Sequence, residues 1–193
     1  GIEKYNLNPT FISHVIITHS HDDHLAGLYD LSHIYGLNQK ITLLAGLRTF
    51  QDIRRKMGPS LRSFKIQIAE PFEKIEMTNS LVWLIPVIHG NIEAFAIKIK
   101  DTKPIFYAPE FRKILPSSKK YLGDIEIAII DGSSKTSFGQ AKGHETIEEG
   151  IRLGRDLRAK RILFTNIGHK TDTFAELTSF VKDKGGNKFS VAY

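Results

Sequence analysis

Cysteine is absent from the 193 residues, so the chain has no disulfides and no thiolate ligands, and any metal falls to His, Asp, Glu or Asn. Long apolar runs are lacking too. None approaches the ~20 residues needed to cross a bilayer, and no N-terminal signal pattern is visible, so a cytoplasmic protein without a membrane partner is expected. There is no internal repeat, low-complexity segment or linker, which points to one domain over 1–193 burying roughly 70% of its unfolded surface. Aromatic residues do not interleave with basic ones as in surfaces that stack single strands, so RNA is not the favoured partner. The net charge of +6 does favour anionic substrates, because a positive surface steers them inward.

What the chain does have is a dense group of histidines. Three of its eight lie within six residues, in His19-Ser20-His21-Asp22-Asp23-His24, directly after the β-branched stretch Val15-Ile16-Ile17-Thr18. The apolar stretch reads as a buried strand opening into a loop. Continued extended backbone would project His19, His21 and Asp23 to one side, with His24 turning inward as a helix begins near Leu25. Three imidazoles and a carboxylate suit Zn²⁺, or Mn²⁺ and Fe²⁺ where carboxylates are more numerous. Protonated together they would repel one another, so a cation is the natural holder of the group.

This His-x-His-x-Asp-His run, followed by Leu25-Ala26-Gly27, resembles the motif of the metallo-β-lactamase superfamily of hydrolases. The resemblance implies a mixed α+β chain folded as an αββα sandwich. It also implies two divalent ions, Zn or Mn, with Fe or Ni as alternatives. His19, His21 and His89 would hold the first. Asp23 and His24 would hold the second, with Glu110 shared and Asn166 or His169 completing the set. His89 matches the family's third histidine at a strand end, in Val87-Ile88-His89-Gly90. Glu110 stands where the family usually has Asp. Asn166, in Thr165-Asn166-Ile167-Gly168-His169, stands where it has His, and an amide oxygen is the poorer ligand.

A capping box, Thr146 with Glu149, predicts that a helix starts at Thr146. His144 sits just ahead of it, and a helix N-terminus can cradle phosphate oxygens. Gly143-His144-x-Thr146-x-Glu148-Glu149 resembles the phosphodiesterase branch of the superfamily, which includes the phosphoribosyl cyclic phosphodiesterase and the tRNA 3′-processing endonuclease. That resemblance implies His144 as the general acid, with Asp23 also among the catalytic groups and Ser133 and Thr146 as substrate contacts. The endonuclease carries a His-Glu-Ala-Thr stretch after the preceding strand. This chain has Ile130-Asp131-Gly132-Ser133 instead, closer to the cyclic phosphodiesterase.

Strands are expected near 13–18, 41–45, 64–69, 73–77, 81–88, 94–100, 104–108, 125–131, 161–165 and 188–192, and helices near 25–34, 47–57, 110–121, 146–159 and 172–183. The family normally has several strands ahead of its first motif, so a fragment of a longer protein, lacking its N-terminal strands, is expected. The functional expectation is a metal-dependent phosphodiesterase acting on a small anionic diester, with a homodimer as an option for its assembly. A lactone or thioester hydrolase, or a degenerate domain that binds metal without catalysis, are the alternatives.

Overall fold

A computed structural model describes residues 6, 8–35, 41–136, 143–168 and 172–192. The chain forms two compact units, Gly1–Glu70 and Pro71–Tyr193.

In the first unit, β1 (His14–Ile16), β2 (Ile41–Ala45) and β3 (Phe64–Ile68) make a parallel sheet in that order. Parallel strands need crossovers, and these are α1 (Asp22–Tyr35) and α2 (Leu47–Met57), the latter followed by a 3-10 turn over Gly58–Ser63. Strand β2, Ile-Thr-Leu-Leu-Ala, is almost wholly buried, as a parallel strand covered on both faces must be. Ile17, Leu25, Leu28, Leu43, Ile53 and Phe64 join it in one core.

The second unit is built on a sheet ordered β11-β10-β9-β7-β6-β5-β4. Strands β4 (Lys74–Met77), β5 (Ser80–His89) and β6 (Ile92–Lys100) form an antiparallel meander. The β5–β6 hairpin pairs His89 with Ile92 across a two-residue loop, and Gly90 takes the positive φ of 58° that such a loop requires. His89 is thereby fixed as the last residue of its strand. Strand β7 (Ile105–Ala108) is antiparallel to β6, and β7, β9 (Ile127–Asp131), β10 (Arg161–Thr165) and β11 (Phe189–Val191) are parallel. The ends of β5, β7, β9 and β10 therefore share one edge of the sheet, where open α/β sheets present their ligand sites. Phe106, Phe111, Ile130, Ile147, Ile162 and Phe164 are fully buried in the unit's core.

The two largest helices of this unit begin as their sequences specify. Helix α4 (Ile147–Asp156) has Thr146 as N-cap, with both halves of the capping box to Glu149 in place. Helix α5 (Phe174–Gly185) repeats the device with Thr173 and Glu176. The helix expected over 110–121 does not form. Lys113–Ile114 is instead a short strand, β8, paired with β5, and only Pro116–Lys119 is helical, as α3. Proline cannot sit inside a helix and forces the residue before it out of helical backbone; Leu115 is accordingly extended, at φ −66° and ψ 147°. No helix among the described residues is long and apolar enough to cross a membrane.

Candidate functional site

The first unit contributes the histidine-rich loop. Thr18, at the end of the buried run, hydrogen-bonds the His19 ring at Nδ1 (3.0 Å), and His19 Nε2 lies 3.1 Å from His21 Nδ1. The rings of His19 and His24 are 4.2 Å apart. His19 is wholly buried, whereas His21 and Asp23 are exposed. Helix α1 begins at Asp22, so Asp23 and His24 stand in its first turn rather than on extended backbone. This corrects the period-two expectation for Asp23, whose carboxylate is 3.6 Å from His24 Nε2 and 72% exposed. The helix starts early because two acidic residues favour the positive end of its dipole. Helix α2 pins the loop: Asp52 accepts from Ser20 Oγ at 2.7 Å, and Lys56 Nζ donates to the Ser20 carbonyl and to Asp22, both at 2.6 Å. The pattern of α2 alone gave no signal for these two tethers.

The second unit brings His89, Glu110, Asp131, His144 and Asn166 together at its strand ends. His89 Nδ1 donates to the Gly143 carbonyl at 2.8 Å, which leaves Nε2 facing Glu110 Oε2 at 3.0 Å. Burial works against the charged imidazole, but Glu110 and the Gly143 carbonyl outweigh it and the pKa of His89 is raised. Asn166, held at a left-handed φ of 55°, donates from Nδ2 to Glu110 Oε1 at 2.8 Å. Its amide thus orients the carboxylate. His169 lies outside the described residues.

Asp131, 1% exposed at the end of β9, organises the other half. One carboxylate oxygen accepts from His144 Nδ1 at 2.8 Å and from Phe111 N at 3.4 Å; the other accepts from Ser133 N at 2.9 Å. A carboxylate only accepts, so Nδ1 of His144 carries the proton and Nε2 remains for other chemistry. The hydrogen bond to Asp131 raises the pKa of His144 despite partial burial. The rings of His89 and His144 meet edge to face, 5.1 Å apart. Ser133 is half-buried, and its Oγ has no hydrogen-bond partner among the described residues.

The start of α4 does not form the expected phosphate cradle. Ile147 N donates to the Ser134 carbonyl at 2.8 Å, Glu148 N to the Lys135 carbonyl at 3.3 Å, and Glu149 N to Thr146 Oγ1 at 3.1 Å. Thr146 N is taken by Glu149 Oε2 at 3.0 Å, and Thr146 itself is buried. The N–H groups that would have met a phosphate are therefore spent on the protein, and Thr146 serves as the N-cap of α4. Next to it, burial pushes the Glu145 carboxyl up to about 8, helped by the nearby Glu149.

Comparison with known proteins follows the same lines. The family model of the beta-lactamase superfamily domain matches residues 5–167, a stretch that runs through both units. No curated protein sequence matches the chain. Among solved structures, a diphosphatase from the PhnP family superposes with a TM-score of 0.80 at 20% identity, covering 94% of this chain and 68% of that one. The metallo-beta-lactamase fold protein YhfI from Bacillus subtilis gives 0.82 at 15%, covering 98% and 78%. The short form of human tRNase Z gives 0.65 at 16%, covering 88% and 78%. At such identities these likenesses establish the fold, and the mixed α+β chain has it.

Proposed function

Because the chain belongs to the beta-lactamase superfamily domain family, whose model matches residues 5–167, we propose that it is a metal-dependent hydrolase of small phosphodiesters. The observation that carries this reading is His144, held by Asp131 with its proton on Nδ1, at the same strand edge as the buried His89–Glu110 pair. The donor chemistry fits divalent cations. A buried imidazole nitrogen and a buried carboxylate oxygen lie 3.0 Å apart, and the histidine's other nitrogen is oriented by a carbonyl, the usual support of a metal-ligating imidazole.

In this reading His19, His21 and His89 would hold one ion. Asp23 and His24 would hold the other, with Glu110 contributing to both and Asn166 or His169 completing the set. Zn²⁺ or Mn²⁺ suits these ligands. Bound divalent ions would supply a Lewis acid and lower the pKa of water toward neutrality. Asn166 keeps the Glu110 carboxylate in one orientation. Asp131 holds the Nδ1–H of His144 and raises its pKa, which favours the imidazolium; that form carries a second proton on Nε2 and hands it to the departing alkoxide. Likeness to a diphosphatase and to a tRNase Z supports phosphorus as the centre attacked, and Asp131-Gly132-Ser133 supports the small diester over RNA.

Elemental analysis paired with turnover assays on one sample tests the reading. Two ions per chain and hydrolysis of bis-p-nitrophenyl phosphate well above an ester or a lactone are expected. Turnover of the ester or lactone alone would move the protein to the carbonyl-hydrolysing alternative. No activity with at most one ion, after Zn²⁺ or Mn²⁺ is restored, would leave a binding domain without catalysis.

A further inference from the structure

We propose that Arg112 is a positioning residue for His144, gripping the first turn of α4 so that the acid stays aligned with the loop that carries Glu110. The proposal rests on the role given to His144 above. Arg112 follows Glu110 by two residues, and its backbone N–H donates to the carbonyl of Ile88, the residue before His89, at 2.6 Å. Its side chain crosses to α4, where Nη1 reaches both carboxylate oxygens of Glu149 at 3.2 and 3.1 Å and Nη2 reaches Oε1 at 3.2 Å. Glu149 is also the residue that closes the capping box on Thr146, two positions after His144. One residue thus joins the end of β5 through its backbone and the peptide from which His144 projects through its side chain, from the segment that carries Glu110.

Charge adds to the argument. Glu145, Glu149 and Asp131 crowd the start of α4, and Arg112 is the cation that offsets them at Glu145. Half-exposed ion pairs of this kind contribute little stability by themselves. A two-toothed fork, by contrast, fixes direction, and a lysine ammonium cannot reproduce it. The arrangement is suited to geometry more than to holding the fold.

Arg112→Lys and Arg112→Met test it on two diesters. Bis-p-nitrophenyl phosphate releases a phenolate that needs no acid, whereas a ribose 2′,3′-cyclic phosphate releases an alkoxide that does. Both variants are expected to lose kcat on the cyclic phosphate roughly tenfold more than on the p-nitrophenyl ester, with KM and metal content little changed. Adding Glu149→Gln to Arg112→Met should cost nothing further. Equal losses on the two substrates, or none, would overturn the proposal. If the wild-type protein hydrolyses neither diester, the phosphodiesterase reading fails on its own account. The downfield Nδ1–H proton signal of His144, recorded without substrate, then decides the positioning role: its loss in both variants supports it, and its persistence in Arg112→Met refutes it.

Discussion

The two units hold their candidate ligands in different ways. In the first, His19, His21 and His24 lean on one another, ring against ring, and two of the donor groups face solvent. In the second, each donor is buried or half-buried and has a partner that fixes its direction: the Gly143 carbonyl for His89, Asn166 for Glu110, Asp131 for His144. Neighbouring imidazoles repel when protonated, so the first arrangement gains most from a cation. In the second, protein groups orient the side chains.

Substitutions and metal removal test that contrast. His144→Ala should lower turnover of a ribose 2′,3′-cyclic phosphate roughly 10²–10⁴-fold while elemental analysis finds the metal content unchanged. Loss of metal would make His144 a ligand and place it with the donors of the first unit. Asn166→Ala, which frees one oxygen of Glu110, should cost about 10–100-fold in metal affinity, read by competition with a chelator. An unchanged affinity would mean that the orientation of Glu110 owes nothing to its amide partner.

Smaller in scale is the effect of Glu145→Gln on stability. The folded pKa of Glu145, about 8, lies above its unfolded value of 4.5. The folded state therefore retains a proton that the unfolded state has lost between these values. Its contribution is fully present below pH 4.5, and is lost as pH rises through 8. The variant should be more stable than wild type at pH 9, by about 2–5 kcal/mol, and nearly equal to it at pH 4, as denaturant unfolding would read. A variant no more stable at pH 9 would show that the carboxyl ionises without cost. Smallest of all, chelation should speed hydrogen exchange in residues 19–24 several-fold more than at the ends of β7, β9 and β10, if the first unit depends on its ion.

Much of this organisation is legible in the sequence. Strands β2 and β10 and helix α2 fall where composition and periodicity place them, because each combines one strong pattern with clear stops. Thr146 and Glu149 announce the start of α4 for the same reason. The segment 110–121 misleads, since its apolar spacing suits a helix while Pro116 and the pairing of β8 with β5 decide otherwise. For the site, the histidines are visible as ligand types, but their partners are not. Asp131 lies 13 residues from His144, and Arg112 lies 37 from Glu149. Nothing local marks such pairs, because the folding of the sheet brings them together. The N–H groups at the start of α4 are taken by Ser134 and Lys135, more than ten residues earlier in the same β9–α4 connection, a pairing no local pattern marks.

Gly168 has a consequence for how this sequence can vary. A β-carbon placed there would stand 2.3 Å from the carbonyl oxygen of Ser133, a rigid backbone atom with no side-chain freedom to yield. At Gly123 the same addition would meet nothing within 4 Å. In a library of random variants selected for activity, position 123 should therefore accept many residues and position 168 almost none. The intolerance would reflect the spacing of two adjacent loops, and would mimic the signature of a chemically essential residue at a position that has no side chain.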